Sequence, residues 1–293
     1  MITFEDGTAS GTTLSAKVNN GGSAICTANV TTATESEKVV AKFVLPVAKG
    51  ITLSSATVKL GGKEAISFGA SQTLEGKVYN VKKTAVVTGH ALTASTFGDI
   101  VGSDGLAYAA ADKDNLPSGV TAVAMVAYVG SGAETSTTYN HGLALALKDA
   151  TYTQKWSNSS SEPCLPAQHS SESDAKGDMA GIANTDALVS HTSHTHAAAS
   201  AARNYQYADG VAVGAHPEEV TSAWFLPSAG QWQKMAAAAG GSSNLYTKAS
   251  LSQYYWSSSE ISAEEAWYFG AYLVEYKKDG KNYSHSVRAC LAF

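Results

Sequence analysis

Along residues 1 to about 86, apolar and polar positions alternate in short runs, and helical periodicity is absent. Alternating or β-branched runs occupy 13–18, 24–30, 39–47, 51–60, 65–68 and 77–82, separated by turns such as Asn19-Asn20-Gly21-Gly22 and Gly61-Gly62. A period of two puts successive side chains on opposite faces of an extended chain, so these runs predict strands. Several short strands at this spacing predict a small β-sandwich.

The pattern changes beyond residue 86. Leu116-Pro117-Ser118-Gly119 leads into a continuous apolar run over 120–129 that ends at Gly130, a length that fits a buried strand. A polar loop over 131–138 separates it from a second apolar run at 141–147. Residues 156–169 are rich in Ser, Asn and Pro and predict a long surface loop. One helix is predicted over roughly 177–190, with Met179, Ile182 and Leu188 apolar. A second starts at Ser228, placed to cap it after Pro227, and stops at Gly240-Gly241. Residues 197–205 extend or add a helical turn. Segments 266–274 and 286–293 read as strands, with a polar turn at 277–281. The expectation is an α+β chain: an all-β sandwich domain over 1–86, then a mixed domain over 87–293.

Composition narrows the function classes. The 293 residues suit two domains. Net charge is −5, and the 20 Lys and Arg form no basic stripe, so the electrostatic footprint of nucleic-acid binding is missing. No apolar run reaches the ~18 residues that span a bilayer. Met1-Ile2-Thr3-Phe4 has neither a basic nor an apolar leader region. That fits a cytosolic chain or one whose signal peptide has been removed. Cys26, Cys164 and Cys290 are too far apart for a local metal motif and leave at least one thiol free. They read as buried small hydrophobes, with a Cys164–Cys290 disulfide as an alternative.

Candidate chemistry is sparse. His191, His194 and His196 are spaced so that two could share a metal, yet no Cys or carboxylate pair adjoins them, and Ser, Thr and Ala around them suggest an exposed loop. Asp99, Asp104 and Asp209 lie in glycine-containing turns without the acidic alternation of a calcium loop. A nucleophile elbow, a phosphate loop and a dinucleotide fingerprint are all absent. Glu218-Glu219 and Glu264-Glu265 are sequence neighbours, which in a strand face opposite ways. The residues make no case for an enzyme, a cofactor or a metal site. The C-terminal stretch differs: six of the fourteen tyrosines (Tyr254, Tyr255, Tyr268, Tyr272, Tyr276, Tyr283) fall there. Tyrosine supplies rigid contact area with a polar tip, as binding surfaces use it. Tyr268, Tyr272 and Tyr276 could share one strand face.

Four blocks occur in order: Trp224-Phe225-Leu226-Pro227-Ser228-Ala229-Gly230-Gln231-Trp232; Tyr255-Trp256-Ser257-Ser258-Ser259-Glu260; Ala266-Trp267; and Val287-Arg288-Ala289 through Phe293. This set resembles the C-terminal domain of Fibrobacter-type major paralogous domain proteins and of the variable proteins of diversity-generating retroelements. The resemblance covers about 220–293, with weaker support from Phe97-Gly98-Asp99, the 120–128 run and 142–149. It implies a C-type-lectin-like fold with a formylglycine-generating-enzyme-like elaboration. Trp256, Ser257, Ser258, Glu260, Trp267 and Arg288 would then be scaffold, with Lys281 among them. Ile261, Tyr268, Gly270, Tyr272, Leu273, Tyr276, Gly280, Asn282, Tyr283, Ser284 and His285 would face a ligand. These residue types also match the outcomes of adenine-directed diversification. Enzymes that generate formylglycine use a C-terminal cysteine pair, and here that region has Cys290 alone, against an oxidase. Leu74-Glu75-Gly76-Lys77-Val78-Tyr79-Asn80-Val81 is similar to a strand ending of fimbrillin-like pilins. Together these resemblances imply an extracellular or cell-surface adhesin, its signal peptide removed, that recognises a protein or glycan and contacts other pilus subunits. The alternative is a structural pilus or envelope subunit without a ligand.

Overall fold

The computed structural model describes residues 87–293 except 160–161, 206, 209–210, 213–215, 253 and 271–274; within 2–86 it describes the backbone of the strands. The chain divides into two compact units, Met1–Val87 and Thr88–Phe293.

In the first unit every described element is a strand: β1 (Ile2–Asp6), β2 (Thr12–Asn19), β3 (Ser23–Val30), β4 (Val39–Phe43), β5 (Thr52–Leu53), β6 (Ala56–Leu60), β7 (Lys63–Phe68) and β8 (Gln72–Thr73). Order β3-β2-β6-β7 forms an antiparallel sheet, and β1–β4 and β5–β8 form separate pairs. The run at 77–82 lies outside the described residues.

The second unit is α+β. Its strands begin with β9 (His90–Ala91), β10 (Ile100–Gly102), β11 (Leu106–Tyr108), β12 (Ala122–Val129), β13 (Gly142–Ala146) and β14 (Thr151–Lys155). Helices α1 (Glu172–Ala175), α2 (Gly181–Ser190) and α3 (Ala197–Arg203) follow, then the pair β15 (Tyr207–Ala208) and β16 (Val211–Ala212). Helices α4 (Ala229–Ala238) and α5 (Ser242–Lys248) precede β17 (Tyr254–Glu260), β18 (Glu265–Gly270), β19 (Glu275–Gly280), β20 (Ser284–Val287) and β21 (Cys290–Ala292). Six strands form one sheet, β21-β13-β12-β10-β11-β9, and five form another, β14-β20-β17-β18-β19. In the second sheet β17 and β20 run parallel.

The apolar runs are explained by burial on both faces of the six-stranded sheet. On β13, Leu143 and Leu145 enter one core with Trp232, Met235 and Phe269, while Ala144 and Ala146 enter the other with Trp156, Trp256 and Leu226. Strands covered on two sides read as continuous apolar runs instead of alternation. The last strand closes the sheet through Phe293 N→Gly142 O at 3.1 Å and Gly142 N→Phe293 O at 3.0 Å. A Cβ on Gly142 would overlap the Phe293 ring, so glycine is required there.

Two crossings carry the chain between the sheets. One passes from β13 to β14 through Asp149, the other from β20 to β21 through Arg288. The Arg288 Nε donates to Asp149 Oδ1 at 2.6 Å, with both side chains buried. Its remaining nitrogens donate to Ala146 O at 2.8 Å and Ser250 O at 3.1 Å. Burial raises the Asp149 carboxyl above its ordinary range, although Arg288 pulls it down. The pair therefore holds a geometry more than it supplies net charge stabilisation. Replacing Arg288 by Ala strands a buried carboxylate and two carbonyls. The expected loss is about 3–5 kcal/mol in urea denaturation; a loss under about 1 kcal/mol would contradict this role.

Candidate functional site

The first motif block builds a rigid floor. Ser228 Oγ accepts from Gln231 N, and Gln231 Oε1 accepts from Ser228 N at 2.9 Å, a reciprocal cap that starts α4. The same Ser228 hydroxyl donates to Asp178 O at 2.6 Å. A Cβ on Gly230 would overlap that carbonyl, so the block needs glycine where two backbones cross. Trp232 then stacks flat on Phe269, with ring centroids 4.8 Å apart.

The second block anchors the five-stranded sheet. Trp256 Nε1 donates to Gln154 O at 2.7 Å, and Ser257 Oγ to Trp267 O at 2.8 Å. Ser259 Oγ donates to Asp178 Oδ2 at 2.5 Å and accepts from Ala229 N at 2.9 Å. Glu260 is fully buried and accepts from Cys164 N, Leu165 N and Lys281 Nζ at 2.7, 2.8 and 2.5 Å. Trp256, Ser257, Ser258, Glu260, Trp267, Lys281 and Arg288 are all buried. Each hydroxyl or carboxylate ties segments distant in sequence, which explains why small polar residues stand in a core strand.

Strand register sorts the remaining residues by face. Trp256 lies opposite Tyr268, Tyr268 opposite Lys277, and Gln154 opposite His285. Their rings gather on one face. His285 lies 4.4 Å from both Trp256 and Tyr268, Tyr254 lies 5.4 Å from Tyr268, and Asp279 Oδ2 is 3.0 Å from His285 Nε2. Burial lowers the His285 imidazole while Asp279 opposes the shift. Tyr254 is 36% exposed. Asn282, Tyr283 and Ser284 follow in the exposed approach to β20, Tyr283 being 60% exposed. The result is an aromatic platform over a buried indole, with polar groups beside it.

The other expected contact residues lie elsewhere. Ile261 is buried against Ala175, Ala229 and Trp267, and Gly270 is buried at the end of β18. Neither offers surface to a ligand. Tyr276 does not share a face with Tyr268. It lies on another strand, opposite Phe269, and packs against that ring at 6.0 Å beneath the Lys176 ammonium. Burial pushes its phenol up, and Glu172 adds to the shift. Gly280 forms the turn that receives Tyr283 N, and a side chain there would crowd Asn282 and the Tyr283 ring. Tyr272 and Leu273 lie outside the described residues. Tyr254 and Gln154 were not among the expected contact residues. Tyr254 adjoins the second block, and strict alternation from the buried Tyr255 was the signal that placed it outward.

Among the described residues, no group of three His, Cys, Asp or Glu side chains could hold a metal ion. Asp99 accepts instead from Thr96 N at 2.8 Å, and Asp104 from Tyr108 OH at 2.5 Å; Asp209 lies outside the described residues. The histidines do cluster, His191 lying 5.5 Å from His194 and 5.1 Å from His196, with His194 Nε2 2.7 Å from Glu162 Oε1. The exposed-loop expectation fails for His196, which is buried edge-on to Trp156 with both ring nitrogens unpartnered. Burial, then His191, Lys281 and His194, push it down to about 4. Cys164 and Cys290 are both free and buried, so the disulfide alternative is excluded. Cys290 sits in β21, pairing with Leu145.

No family model matches the chain, and no curated protein matches it. Among solved structures, a fimbrial protein from Bacteroides ovatus aligns with 96% of this chain at 13% identity and a TM-score of 0.40. The chain spans 64% of that protein's length. A TM-score of 0.40 does not define a shared fold.

Two outcomes follow from these positions. Ile261→Ala should cost about 2–4 kcal/mol in chemical denaturation, as buried aliphatic truncations do. For His196 the unfolded chain takes up the proton first, so stability is full above the ordinary value of 6.5 and falls as pH drops toward about 4. The loss over that window is on the order of 3 kcal/mol. His196→Gln should flatten this part of a pH series of denaturation midpoints; an unchanged slope would refute the assignment.

Proposed function

We propose that the second unit is a C-type-lectin-like recognition domain of a surface-displayed or secreted adhesin, carried by a fimbrillin-like β-sandwich. It binds a protein or glycan without covalent chemistry. The observation that carries this reading is the aromatic platform of exposed Tyr254 with half-buried Tyr268 and His285 over Trp256, next to the exposed Asn282-Tyr283-Ser284 segment. Aromatic rings with polar edges give large contact area at low conformational cost.

A second feature supports the reading. The motif residues are consumed by buried hydrogen bonds, while Asn282, Tyr283 and Ser284 are exposed and can change without opening the core. That division is what a diversified binding surface requires, and retroelement-driven variation of Tyr268, Asn282, Tyr283, Ser284 and His285 is part of the proposal. An oxidase of the formylglycine-generating type is disfavoured because Cys290 is enclosed in a central core and bonded within its own strand segment.

The test is a glycan and host-protein array with the full chain, repeated with Tyr254→Ala and Tyr283→Ala. Both side chains are at least about one-third exposed, so thermal midpoints should stay within about 1–2 °C. Signal for one ligand should drop at least about tenfold, a loss above about 1.4 kcal/mol. An array without reproducible signal would favour a structural pilus or envelope subunit. Full binding by both variants would move the site off the platform.

A further inference from the structure

Cys164 and Lys281 are 117 residues apart in sequence and meet in the interior. The Lys281 ammonium lies 3.6 Å from the Cys164 sulfur and 2.5 Å from Glu260 Oε1. It also sits 5.1 Å over the Trp156 ring. The Lys281 side chain is wholly buried, and Cys164 is 7% exposed. Neither described cysteine is bonded to another, so this sulfur has a buried amine as its nearest reactive neighbour. The Lys281 backbone is fixed as well: its carbonyl accepts from Trp156 N at 3.0 Å and Ser157 N at 3.2 Å, and its amide donates to Glu264 O at 2.9 Å. A thiol and a lysine nitrogen are thereby held together and shielded from outside thiols, so oxidation of Cys164 takes place against Lys281, which becomes a nucleophile once Glu260 takes its proton.

We infer that Cys164 and Lys281 form a covalent N–O–S cross-link when the folded protein meets dioxygen. The balance requires a single dioxygen molecule. Sulfur and nitrogen each give up two electrons, and the four electrons reduce both oxygen atoms. One oxygen becomes the bridge, through new S–O and O–N bonds, and the other leaves as water. The S–H bond and two N–H bonds break; two of these hydrogens end in the water and the third passes as a proton to the Glu260 carboxylate. A bridging oxygen needs nitrogen and sulfur closer than the 3.6 Å of the separate groups, so the link draws the Lys281 nitrogen toward Cys164.

Burial pushes the Cys164 thiol up, Glu260 adds to that, and Lys281 and Ser157 oppose it. The thiol is thus a poor partner for disulfide exchange, and the cross-link does not compete with a mixed disulfide. Closing a loop of this length restricts the unfolded chain, so the linked form should resist heat better than the reduced one. Cys164 lies on the segment that Glu260 pins, and Lys281 in the turn between β19 and β20. The link would tie that segment to the turn that precedes the exposed Asn282-Tyr283-Ser284.

The test is mass spectrometry of the full chain, expressed and purified either in air or without oxygen. The air-exposed protein should gain one oxygen and lose two hydrogens. Digestion should yield a joined Cys164–Lys281 peptide, which dithiothreitol separates. The joined peptide should be missing from anaerobic protein, from Cys164→Ser and from Lys281→Arg, the last of which retains a cation for Glu260. The thermal midpoint of air-exposed wild type should fall on reduction, with no such fall in Cys164→Ser. Complete alkylation of Cys164 in denatured, air-exposed wild type would overturn the inference. So would oxygen found on Cys164 alone with the Lys281 peptide unmodified.

Discussion

The second unit depends on one corner. Its chain passes between the six-stranded and five-stranded sheets at Asp149 and at Arg288, and the two crossings lie side by side. The charged pair bonds them across the corner, and Ala146 N→Ala289 O at 2.9 Å and Ala150 N→Val287 O at 2.8 Å continue the ladder around it. Without this corner the C-terminal strand could not complete the first sheet while β20 completes the second. An aliphatic pair of similar volume could fill the space, but it would not satisfy the carbonyls of Ala146 and Ser250.

From that corner the two cores separate. Alternation along β17 sends Tyr255 toward Trp232 and Phe269 and sends Trp256 toward Trp156 and Val287. The buried carboxylates of Asp178 and Glu260 then tie loops to this strand from both sides, through Ser259 and through the amides of Cys164 and Leu165. The aromatic platform around Tyr254, Tyr268 and His285 lies on this braced sheet. A site framed by strands that are themselves cross-braced keeps its rings in place when neighbouring side chains change.

Much of the second unit could be read from local signals. Ser228 caps α4 as Pro227-Ser228 suggested, Gln231 adds the reciprocal bond of a capping box, and the helix starts where expected. The apolar run at 120–129 is the central strand β12, and the run at 141–147 is β13. The expected strand at 266–274 is described only as Glu265–Gly270, and the one at 286–293 divides at Arg288 into β20 and β21. That division comes from the corner, a relation between distant segments with no local signature. The same limit explains Tyr276. Aromatic spacing suggested a common face with Tyr268, but the residues fall on two strands whose register puts them on opposite faces. Ile261 looks like any residue between motifs until Trp267 and Ala229 close over it.

By itself, the sequence determined the elements: short strands, helices of which one is capped by Ser228, and a C-terminal stretch rich in tyrosine between small polar residues. These rest on backbone propensity, side-chain period and capping chemistry, which act over a few residues. Only the tertiary structure decided which tyrosines face outward, that His196 is enclosed by Trp156, and that Cys164 lies against Lys281 and not Cys290. Those outcomes depend on strand register and on burial by segments many residues away, and neither is written in any local run.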